Sequence, residues 1–115
     1  MTFELIDLQL LGAKAVEDFH ASLRKGQEND RVNIRAAVNQ LVGKLEFAYG
    51  VAARLAHREP TLEGTHAIWS KMVALCDELG GQLRTLGTDD PVCRASYDRL
   101  LDFRNAAERR RGLHA

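Results

Sequence analysis

Between residues 34 and 55 the chain reads IRAAVNQLVGKLEFAYGVAARL. Its apolar members Ile34, Val38, Leu41, Leu45, Ala48, Ala52 and Leu55 are separated by 4, 3, 4, 3, 4 and 3 residues. A mean step near 3.5 keeps one stripe of a helix turned toward its partners. No proline interrupts the run. The stretch therefore predicts a long central helix in an all-α protein.

Working outward, Asp30 is placed to cap this helix, which is expected to end near His57, with Pro60 blocking continuation. A first helix is expected over 3–25, with Leu5, Leu8, Gly12, Val16, Phe19 and Leu23 inward and Arg24-Lys25-Gly26 at its end. Thr61 or Thr65 opens a third, whose inner face is Ile68, Met72, Leu75, Leu79, Leu83 and Leu86, widened by Trp69, Val73 and Cys76. Gly80-Gly81 lies inside it, where glycine weakens a helix, so a kink or early end is expected there, with Gly87 closing the element. Asp90-Pro91 starts the last helix with a cap oxygen and then Pro at the first helical position. Its core face reads Val92/Cys93, Tyr97, Leu100/Leu101, Phe103 and Ala107. Short joints between long helices force neighbours to run oppositely, which predicts an antiparallel up-down-up-down four-helix bundle.

The 115 residues suffice for one core, so residues 1–115 are read as a single helical-bundle domain. Formal net charge is zero and both halves are balanced, so no global field favours nucleic acid or membrane. The apolar start Met-Thr-Phe-Glu-Leu-Ile-Asp carries acids instead of a basic leader, and no apolar run approaches membrane length. Neither a leader nor a membrane span is expected. On this map Cys76 and Cys93 lie roughly 10 Å apart along the bundle, beyond disulfide reach. Two free thiols point to a reducing, cytoplasmic setting. Cys93, in the first turn of a helix, is the one expected to have a lowered pKa.

The reverse side of the central helix is unusual. Ala36, Gly43 and Gly50 fall almost opposite the core stripe, with Phe47 on the same face and Ala53 nearby. Mid-helix glycine is unfavourable by about 0.5–1 kcal/mol against alanine. A ring beside a smooth trough suits close approach of another helix. This face is read as a homodimer or partner-docking surface, and the protein as a non-catalytic one acting by contact.

Other patterns carry chemistry. His57, Glu59, Glu63 and His66 cluster near one predicted tip in residue types that suit zinc, although His at a helix C-terminus and Glu at an N-terminus are also ordinary end chemistry. Glu17/His20 and Glu63/His66 have the Glu-x-x-His spacing of di-iron bundles, but the two pairs fall far apart along the axis. No metal or other cofactor is expected. Arg104, Arg109, Arg110 and Arg111 make the last helix locally basic and are the candidate nucleic-acid contacts. No phosphate loop, nucleophile elbow or Cys-x-x-Cys is present.

Leu100-Leu101-Asp102-Phe103-Arg104-Asn105 resembles the opening of the Arg-Asn…His motif of HEPN ribonucleases, which are compact four-helix proteins. That resemblance implies RNA cleavage needing Arg104, Asn105 and a histidine. Where the family's histidine follows, this chain has Arg109 and Arg110, and the first histidine is His114. Asn39-Gln40-Leu41-Val42-Gly43-Lys44 is similar to the signature helix of histidine-phosphotransfer domains, with Asn39 where the phosphorylated histidine would stand. It implies at most a docking relative without phosphotransfer.

Overall fold

The computed structural model describes residues 5–25, 30–84 and 90–113. These form α1 (Leu5–Lys25), α2 (Asp30–Arg58), α3 (Leu62–Arg84) and α4 (Pro91–Leu113), with no strand among the described residues. The expected Leu86, Gly26 and Gly87 positions lie outside them, as does His114. The four helices pack into a bundle 50 × 26 × 17 Å across. Its thin dimension accommodates about two helix layers.

The inner seam of α2 is dry. Val38, Leu41, Leu45, Ala48, Ala52 and Leu55 are buried, and Ile34 at its start is half-buried against them. Ala37, Val42 and Val51 are buried as well. The core side is wider than the seam because α2 touches all three other helices. So does α3, while α1 and α4 do not meet among the described residues. The α2–α3 pair is thus the spine, with α1 and α4 seated on it separately.

Contacts fix the sense of three helices. Arg35–Asp90, Glu46–Arg99 and Tyr49–Phe103 ascend together, so α2 and α4 run the same way. Asp77–Arg104 and Trp69–Arg110 descend against each other, so α3 runs opposite to α4.

Caps decide the helix starts. Asp90 Oδ1 accepts from Val92 N at 3.0 Å, and its carboxylate also takes both Arg35 Nε and Nη2, joining the starts of α4 and α2. Thr61, and not Thr65, caps α3: its Oγ1 accepts from Gly64 N at 2.9 Å. Thr65 is buried and donates its hydroxyl to the Thr61 carbonyl.

Two expectations need correction. The helix α3 does not end early at Gly80-Gly81 but continues to Arg84. Buried Leu79 and Leu83 anchor that turn, and a Cβ on Gly80 would stand 3.3 Å from Leu100 Cδ2, so the missing side chain admits α4. Tertiary packing has overridden local propensity. Val92 belongs to the surface, at 44% exposure, leaving Cys93 to face the core. Gly12 acts as Gly80 does: a Cβ there would lie 2.5 Å from Leu75 Cδ1, where α1 crosses α3.

Candidate functional site

The outer side of α2 carries a second seam of the same period as the inner one. Ala36, Gln40, Gly43, Phe47, Gly50, Arg54 and His57 are again separated by 4, 3, 4, 3, 4 and 3 residues, and all seven are exposed. Phe47 at 54% exposure is the large apolar group among them. A Cβ built on Gly43 or Gly50 meets nothing within 4 Å, so the backbone lies bare on both sides of that ring. Between Ala36 and Gly50 the strip holds no charge.

Its flanks carry charges that have partners within the fold. Lys44 and Glu46, the charged residues nearest the middle, are each tied to another helix. Lys44 Nζ donates to Asp18 Oδ2 of α1 at 2.6 Å, and Arg99 Nη2 of α4 donates to Glu46 Oε2 at 3.2 Å. Lys44, seconded by Lys14, holds the Asp18 carboxyl below the ordinary aspartate range. Ala53 stands apart from the strip: it is half-buried and faces the bundle tip. Gln40, Arg54 and His57 are the members that glycine and Phe47 alone did not reveal, although continuing the same step finds them.

At that tip a cleft of about 410 Å³ opens between the α2–α3 joint and α4, lined by Ala53, His57, Glu59, Trp69 and Arg110. The Arg110 guanidinium lies over the Trp69 ring at 5.2 Å. The zinc candidates are not assembled here. Glu59 Oε1 accepts from Thr61 N and Thr61 Oγ1, which turns its carboxylate to the start of α3. His57 and Glu63 are exposed and His66 is half-buried. No group of three or more His, Cys, Asp or Glu converges among the described residues. Glu17 and His20 are both on the surface.

The arginines of α4 scatter around the helix, as successive residues do at about 100° each. Arg104 pairs with Asp77 at 2.8 Å and with Glu108; Arg111 pairs with Glu108; Arg110 covers Trp69. Arg109 is exposed and meets no carboxylate among the described residues. Two of the four arginines, Arg104 and Arg111, are thus paired with carboxylates within the fold. Arg104 is tied to Asp77 rather than to a histidine, and Asn105 beside it is exposed.

The thiols are inert packing. Both are free and buried. Burial pushes the Cys76 thiol up to about 12. The expectation of a lowered pKa at Cys93 is reversed: burial raises it first, and the Asp90 carboxylate at the cap adds to that, outweighing Arg35. An acidic cap cancels the helix-terminus field that suggested an activated thiol. A separate groove of about 260 Å³ lies between α1 and α3 over Leu8, Gly12 and Leu75.

No family model, curated protein or solved structure matches this chain. Function is therefore read from its own surfaces.

Proposed function

We propose that this is a non-catalytic helical-bundle protein acting through protein–protein contact, and that its contact surface is the outer strip of α2, occupied by a second copy of the chain. The carrying observation is the second seam: seven exposed positions repeating at helix-pairing spacing, apolar or neutral over its first five members. Open mid-helix glycines weaken the fold, which a close-approaching neighbour explains. Zero net charge removes electrostatic resistance to pairing. Two buried thiols suit a cytoplasmic protein, and no described helix is long and apolar enough to cross a membrane.

Light scattering on the intact chain tests this. The native protein is expected at twice its 12.8 kDa chain mass, with dilution returning the single-chain value. Phe47→Glu is expected to stay at the single-chain mass while keeping native helicity, since the position is 54% exposed. A native protein that never exceeds one chain mass, or a Phe47→Glu variant that dimerises as well as the parent, ends the proposal.

A further inference from the structure

Self-association through α2, the reading on which this inference rests, leaves open how the two helices face each other. We infer that the second copy packs antiparallel on α2, about a two-fold axis that sets Phe47 over the partner's Gly50.

The strip read backwards is complementary to itself. Reversed about that axis, Phe47 faces Gly50, Arg54 faces Gly43, and Gln40 faces His57, each pairing occurring twice. The two bulkiest members thus meet the two glycines, whose outer sides are open. The same pairing in parallel register stacks Phe47 on Phe47 and Arg54 on Arg54 while setting glycine against glycine. That leaves gaps between backbones and brings like charges together, a double penalty on packing and electrostatics. A self-complementary patch is what a two-fold interface demands, because one surface must serve as both partners.

Charge agrees with shape. Arg54 is exposed, and opposite the partner's Gly43 it lies three residues, roughly 4.5 Å along the axis, from the partner's Glu46. Glu46 is 59% exposed at its side chain, and Arg99 engages only Oε2, so Oε1 is open to a second guanidinium.

Thiol cross-linking of the full chain decides the arrangement. Gln40→Cys and His57→Cys change exposed positions, while the buried native thiols stay shielded from a maleimide. A short bismaleimide is expected to give covalent dimers when the two variants are mixed, and none with either variant alone. Cross-linking of either variant with itself would overturn the antiparallel arrangement. A dimer by light scattering that cross-links in no combination would overturn this register. A single-chain mass at every concentration would instead overturn the underlying self-association.

Discussion

Asp18 shows how one carboxylate joins two helices and reports on pH. Its oxygens take Lys44 of α2 at 2.6 Å and Lys14 of its own helix at 3.2 Å. Lys44 is the larger influence, and together they hold the group below its ordinary 3.8. A carboxylate depressed in the folded state adds stability that is complete above its unfolded pKa and is lost as pH falls through the folded one. Urea unfolding is therefore expected to be flat in this contribution from pH 7 to about 5, then to weaken as the solution is acidified below about 4. Asp18→Asn should be less stable than the parent at neutral pH and converge with it in strong acid. Because both partners are about one-third exposed, added salt should shrink the gap. An Asn variant with the parent's full acid slope would assign that slope elsewhere.

At the scale of the element, α2 is a helix whose two sides have opposite duties. Inside it supplies an unbroken apolar seam; outside it accepts two glycines that no neighbouring atom requires. Gly43→Ala and Gly50→Ala are each expected to stabilise the isolated bundle by about 0.5–1 kcal/mol, through helix propensity alone. Measuring them in the Phe47→Glu background removes any effect of pairing. Destabilisation there would mean that hidden packing uses the bare backbone.

The inner seam was legible beforehand because period alone specifies it, and so was the Asp90-Pro91 start, whose chemistry is local. What was not legible depended on distant partners. Gly80-Gly81 looks like a break until Leu100 is seen lying against it. Cys93 looks activated until burial and the Asp90 charge are counted. The four tip residues looked like ligands in spacing, but Glu59 was already bonded to Thr61. Spacing places residues on a face; it does not say which bonds they have already made.

At the scale of the molecule, four helices share one core, yet among the described residues the backbones of α1 and α4 approach the α2–α3 spine and not each other. Gly12 of α1 lies directly against the Leu75 side chain of α3. Gly12→Val is expected to destabilise the fold by roughly 1–3 kcal/mol, as overpacking at a close crossing does, and thermal unfolding followed by circular dichroism measures it. A fully native melting temperature would show that Leu75 can swing aside without loss. The sequence placed Gly12 on the inner stripe, but only the crossing with α3 shows that Leu75 is the side chain it faces.

The separation of the outer helices has a consequence for how the native state breathes. Two elements whose backbones stay apart can loosen one at a time, each leaving the rest of the assembly intact. Amide protons of the first helix and of the last should then exchange with heavy water as two independent classes. The central hairpin, needed by both, should surrender its protons slowest.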